Sequence, residues 1–219
     1  MGRPPSYQQM QPWSSQPRLL SSVIRSPRAV GEDDAIAHPA GSALHLMLAD
    51  GATGAGEGNL AAAYAMARMT EAMAAGISEP EAMAEALSFI DLDLLLELEG
   101  PETTALWLVL EAGTVRGAAV GDTEAWLFGG QEPVAVTAAV PRRPRLGTGR
   151  TRPGVIPAMP CRGILVAATD GLFGYVAPEE IGRELAAAPH RREARHLADL
   201  VERRYAGLPD DIAILVAQA

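Results

Sequence analysis

A layered α+β fold is the class this sequence predicts, and three observations predict it. Strand-like and helix-like segments come in blocks rather than as alternating βαβ units. Short apolar runs end at turn signals, most clearly at Asp50-Gly51 and Asp170-Gly171. The chain has 219 residues, 48% of them hydrophobic, which suffices for a core without disulfides or a structural metal. No internal repeat is visible.

The elements follow in order. Residues 1–18, rich in Pro, Gln and Ser, read as a disordered tail, and 19–219 as one domain. LLSSVIRS from Leu19 reads as a strand, RAVGEDDA as a polar turn, and ALHLMLA at 43–49 as a buried strand before the glycine-rich ATGAGEG. Helices are expected over about 57–75 and from Ser78 to about Glu99, with Ser/Glu starts that suit capping and dipole preferences. The stretch 79–102 holds eight acids and no base, which reads as a solvated helix face. TTALWLVLE, TVRGAAVG, TEAWLFGG and PVAVTA then read as consecutive antiparallel hairpins. Residues 141–162, with six arginines, several prolines and no acid, read as irregular. GILVAAT is a further strand, helices are expected over about 178–187 and 190–206, and IAILVAQ is the last strand.

Composition excludes several chemistries. There are 18 basic residues and none is lysine, so a P-loop lysine, a kinase lysine and a Schiff-base lysine are absent. The net charge of −9 argues against nucleic-acid or anionic-membrane partners. One cysteine, Cys161, allows no intrachain disulfide and points to a reducing, cytoplasmic setting. No run has the length of a spanning helix, and no signal-peptide pattern opens the chain. Cys161, His45, His190 and His196 are scattered and read as core or surface residues.

Acids, by contrast, recur at strand–turn junctions: Glu32-Asp33-Asp34, Asp50, Asp122, Asp170 and Asp210-Asp211. Strand ends on one edge of a sheet bring such residues together. A cluster without Lys or Arg partners repels itself, and divalent cations remove that penalty. Glycines after Asp50 and Asp170 let the backbone turn sharply, and a glycine carbonyl can itself be a ligand. Asp-Gly also marks ordinary turns, so it is the ordered set that carries weight.

Arg28-x-x-x-Glu32-Asp33, LADG at 48–51, TTA at 103–105, VGDTEAWL at 120–127, ATDGLF at 168–173 and PDDIAILV at 209–216 occur in this order. Together they resemble the motifs of the metal-dependent (type 2C) Ser/Thr protein phosphatases, over about residues 19–219. The resemblance implies two antiparallel sheets packed as a central sandwich, flanked by α-helices on both sides. It implies hydrolysis of phosphoserine and phosphothreonine by a metal-activated water at a binuclear Mn2+ or Mg2+ centre. Asp50 would bridge the ions, the Gly51 carbonyl would ligate one, and Asp170 and Asp210 would complete the other. Glu32 and Asp33 would hold metal-bound waters, Asp122 would serve a possible third ion, and Arg28 would grip the phosphoryl group. Partners would be a phosphorylated protein and a cognate Ser/Thr kinase.

The sequence departs from the family pattern at several places. Gly31 and Asp211 stand where Asn is usual, which leaves open whether Asp210 or Asp211 is the ligand. Glu124 replaces a common arginine, no histidine follows Asp50, and the usual flap is reduced to 141–162. These departures motivate an alternative, a non-catalytic phosphoprotein-binding or regulatory module on the same scaffold. Arginines 142, 143, 145, 150, 152 and 162 form either a basic rim that recruits acidic or phosphorylated protein or a flexible loop that balances an acidic body. Arg191, Arg192, Arg195, Arg203 and Arg204 read as the polar face of a helix whose inside is Leu197, Leu200, Val201 and Tyr205.

Overall fold

Ten strands form two five-stranded antiparallel sheets, in the orders β1-β10-β9-β6-β7 and β2-β3-β4-β5-β8. The computed structural model describes residues 16–52, 57–187 and 192–218. The strands are β1 Arg18–Arg25, β2 Asp33–Ala40, β3 Ala43–Asp50, β4 Ala105–Glu111, β5 Thr114–Val120, β6 Glu124–Phe128, β7 Val134–Ala135, β8 Gly154–Pro160, β9 Ile164–Ala168 and β10 Ile212–Gln218. The helices are α1 Gly58–Ala74, α2 Pro80–Glu97, α3 Asp170–Phe173, α4 Pro178–Ala187 and α5 Ala194–Tyr205.

The central strands are apolar on both faces because both faces are covered. Alternate residues Leu44, Leu46 and Leu48 of β3 and Leu106, Leu108 and Leu110 of β4 meet Leu165, Ala167 and Leu215 between the sheets. The intervening Met47, Trp107 and Val109 pack under Met66, Met69, Met83 and Leu87 of α1 and α2. On the other outer side, Val166, Ile214 and Val216 pack under Leu185, Leu197 and Val201 of α4 and α5. The expected sandwich with helices on both sides is the observed one.

Several local expectations are corrected. The RAVGEDDA segment is a turn only as far as Glu32: Asp33 opens β2, an edge strand whose Pro39 is tolerated because an edge needs no second ladder. Residues 141–162 are not irregular throughout, since 154–160 form β8, an edge strand containing Pro157 and Pro160. The hairpin series is interrupted, because β5 and β6 belong to different sheets, and PVAVTA contributes only the two residues of β7. Helices α1, α2 and α5 begin without side-chain capping bonds; α2 relies on Pro80 in its first turn. Tyr205 is not inside α5's packed face but exposed, in edge-to-face contact with Tyr175. The solvated-face expectation for 79–102 fails at Asp91, which is buried at 2% exposure. Its carboxylate accepts the N–H groups of Gly147 at 2.8 Å, Gly149 at 3.0 Å and Thr151 at 2.9 Å, tying the 141–153 segment to α2. The expected tail falls mostly on residues 1–15, and His190 and Arg191 also lie outside the described residues.

Candidate metal centre

Antiparallel pairing places the acidic junctions at one end of the sandwich. Asp33 opens β2 and Asp50 closes β3, and the two are direct register partners. Asp170 follows β9 by two residues, and Asp210-Asp211 precede β10, the strand paired with β9. Asp122 lies in the β5–β6 connection. The result is a cleft of about 190 Å3 lined by Arg28, Glu32, Asp50, Gly51, Ala52, Arg145, Asp170, Asp210 and Asp211.

Two of its lining carboxylates, Asp50 and Asp170, each bring an oxygen within 4.8 Å of the other's and of one from Asp122, which adjoins the cleft. Burial, and then the neighbouring Asp33, Asp170 and Asp122, push the Asp50 carboxyl up to about 9. Burial pushes Asp33 up to about 7 against the opposing effect of the Thr169 hydroxyl, which donates to it at 2.6 Å. Asp170 is raised too, by burial first and then by Asp122 and Asp210. Oxygen donors gathered this closely, with their charges disfavoured, suit a hard divalent cation.

Backbone packing fixes these positions. The Asp50 carbonyl accepts the Thr104 N–H at 2.8 Å and the Thr103 hydroxyl at 3.0 Å, and its N–H donates to Thr104 Oγ1 at 3.1 Å. Thr104 Oγ1 lies 2.6 Å from Thr123 Oγ1, beside Asp122. The TTA motif therefore clamps Asp50 to the β5–β6 turn. The glycines after Asp50 and Asp170 serve close approach, not the sharp turn expected of them. A Cβ on Gly51 would stand 2.1 Å from the Gly58 carbonyl oxygen, and one on Gly171 would stand 1.9 Å from that of Asp211.

Two placements differ from expectation. Asp210 lines the cleft, yet it is not one of the three clustered carboxylates: its Oδ1 accepts Arg28 Nη2 at 2.5 Å, and Arg28 also bonds Glu32. The site is also not free of arginine. Arg145 Nη2 lies 3.2 Å from Asp122 Oδ2, so this one arginine of the 141–162 segment reaches into the cleft. The sequence marked it only as one of six. Arg142, Arg143, Arg150, Arg152 and Arg162 are exposed; Arg142 pairs with Glu124, and Arg162 sits at the far end of β9 from Asp170. Asp211 is buried, its Oδ2 accepting the Glu32 N–H at 2.7 Å while Oδ1 has no hydrogen-bond partner. Away from the site, His45 is buried and accepts the Trp107 indole N–H at 3.1 Å, and His196 meets Glu184 at 2.9 Å. Burial pushes the Cys161 thiol up to about 11.

No protein-family model and no curated protein sequence matches the chain. Solved structures do match in fold. The serine/threonine phosphatase Stp1 of Staphylococcus aureus superposes with a TM-score of 0.81 at 17% identity, covering 96% of this chain and 99% of that one. The Mycobacterium tuberculosis serine/threonine phosphatase PstP/Ppp gives 0.72 at 21% identity, covering 92% and 98%. The catalytic domain of PstP in complex with two manganese ions gives 0.75 at 21%, covering 92% and 97%. The chain thus shares the fold of bacterial serine/threonine phosphatases over nearly its whole length.

Proposed function

We propose that the protein is a metal-dependent phosphatase of phosphoserine and phosphothreonine in proteins. The observation that carries this reading is the convergence of Asp50, Asp122 and Asp170 carboxylates at a cleft that Asp50 and Asp170 line together with Arg28. Shared fold with phosphatases, one of them bound to two manganese ions, supports it.

Asp50 and Asp170 would be the core ligands of a Mn2+ or Mg2+ pair, with the Gly51 carbonyl beside them. Asp122 would hold the same ions or a third. Asp210 would complete the set once freed from Arg28; both it and Asp211 line the cleft, but Asp210 is the more exposed of the two. Glu32 and Asp33 orient water, Asp33 being fixed by Thr169. Bound divalent ions would lower the pKa of a water and offset charge on the phosphoryl oxygens. Arg28 exchanges its carboxylate partners for the phosphoryl group, gripping it with a planar fork. Arg145 keeps positive charge beside Asp122. The substrate is then a phosphorylated protein supplied by a Ser/Thr kinase. The single buried thiol suits a cytoplasmic location, and among the described residues no helix is long and apolar enough to cross a membrane.

Turnover of a phosphothreonine peptide, with EDTA or Mn2+ added, tests the reading. Manganese-dependent release of phosphate that falls about 10³-fold in Asp50→Asn supports it. Tight phosphopeptide binding without turnover would support the non-catalytic module instead.

A further inference from the structure

Helix α2 carries a second apolar stripe on its outer face, edged by acids, although it lies on the surface. Its inner face, with Met83, Leu87, Ile90 and Leu94, is buried against the sheet. Its outer face carries Phe89, Leu92 and Leu96, spaced i, i+3 and i+7 so that they form one stripe. Phe89 is 58% exposed, Leu92 43% and Leu96 77%, far above what a monomer's own packing needs. Beside Phe89 runs a groove of about 390 Å3 between α1 and α2, lined by Ala72, Ile77, Ala82, Ala86 and Ile90. A contiguous apolar stripe on an exposed helix face, beside a groove, marks a surface for a partner.

The charges around the stripe identify that neighbour's chemistry. Glu81 and Glu85 are exposed before it, and Glu97 and Glu99 after it, while Asp93 flanks it. The last turn of α2 has no basic residue, so the negative end of the helix dipole adds to Glu97 and Glu99. Arg68, the nearest cation on α1, is already engaged by Glu71 and Asp93. A second copy of this face would set acid against acid, and an anionic membrane would be repelled for the same reason.

We propose that the outer face of α2 docks a basic amphipathic helix of a partner protein, its apolar residues on Phe89, Leu92 and Leu96 and its arginines or lysines on the acidic rim. The proposal stands independently of the phosphatase reading, since none of these residues lines the acidic cleft. Helix-in-groove recognition supplies affinity through the stripe and selectivity through the rim.

The test uses the full chain and two synthetic helical peptides with the same leucine face, one flanked by arginines and one by glutamates, followed by fluorescence anisotropy. The arginine peptide is expected to bind at least about tenfold tighter, with affinity falling as salt rises. Phe89→Ser with Leu96→Ser is expected to weaken it at least about tenfold. Glu85→Arg with Glu97→Arg is expected to reverse the peptide preference, which keeps the test decisive should the serine variant fold poorly. Equal binding of both peptides, or binding indifferent to these variants, would overturn the proposal. So would a dimer in light scattering that the serine variant dissolves, which assigns the face to a second copy. Binding to vesicles that is lost in that variant assigns it to lipid and overturns the proposal equally.

Discussion

Buried Asp91 and half-buried Asp50 sit on elements of the same sheet-and-helix layer, and their carboxylates are surrounded in opposite ways. Asp91 is surrounded by donors: three backbone N–H groups of the 147–151 segment point at it. Asp50 is surrounded by its own kind, with Asp33, Asp122 and Asp170 among its neighbours, and burial and those charges push it up to about 9. The first carboxylate is complete within the chain and holds structure together. The second is crowded by like charge instead, a penalty that the proposed metal ions would relieve.

Removing each carboxylate breaks or sharpens the contrast. Asp91→Ala leaves three buried or half-buried N–H groups unpaired and is expected to cost about 3 kcal/mol in chemical denaturation, with or without metal. A loss under about 0.5 kcal/mol would mean the tether carries nothing. Arg28→Ala is expected to raise KM for a phosphopeptide about tenfold while Mn2+ affinity persists, because Arg28 touches Glu32 and Asp210 but not the three-carboxylate cluster. Equal loss of metal affinity would show that Arg28 serves the metal site instead. Asp50→Asn should go the other way from Asp91→Ala: the metal-free protein gains about 1 kcal/mol at pH 8, read by the same denaturation, because a repelled carboxyl is gone.

A further effect is a slope with pH. Between the ordinary carboxyl value of 3.8 and about 9, folded metal-free protein holds a proton on Asp50 that the unfolded chain has lost. The native state therefore binds more protons, and stability falls as pH rises through that window. Saturating Mn2+ is expected to flatten or reverse the slope in thermal unfolding, since cations replace the protons. A metal-free stability that rises from pH 5 to pH 8 would contradict the account.

Legibility in the sequence followed burial. The central strands β3, β4, β9 and β10, buried on both faces, are continuous apolar runs and were readable as such. Edge strands β2 and β8 were not, because exposure and proline remove the pattern that marks a strand. The junction acids were visible one by one, and the motif order suggested that they meet. The separation of Asp210 from the cluster and the entry of Arg145 depend on side-chain partners that no spacing encodes. Asp91 was hidden for a related reason. Seven other acids surround it in 79–102, and only its position under Gly147, Gly149 and Thr151 distinguishes it.

Isothermal titration calorimetry of Mn2+ into the metal-free protein at pH 7, in two buffers of different ionisation enthalpy, addresses the acidic cluster most directly. The account predicts saturable binding with net proton release, because carboxyls held protonated by burial and mutual repulsion must ionise to take the metal, and it predicts loss of that binding in Asp170→Asn. Binding that releases no protons and survives both Asp50→Asn and Asp170→Asn would contradict it.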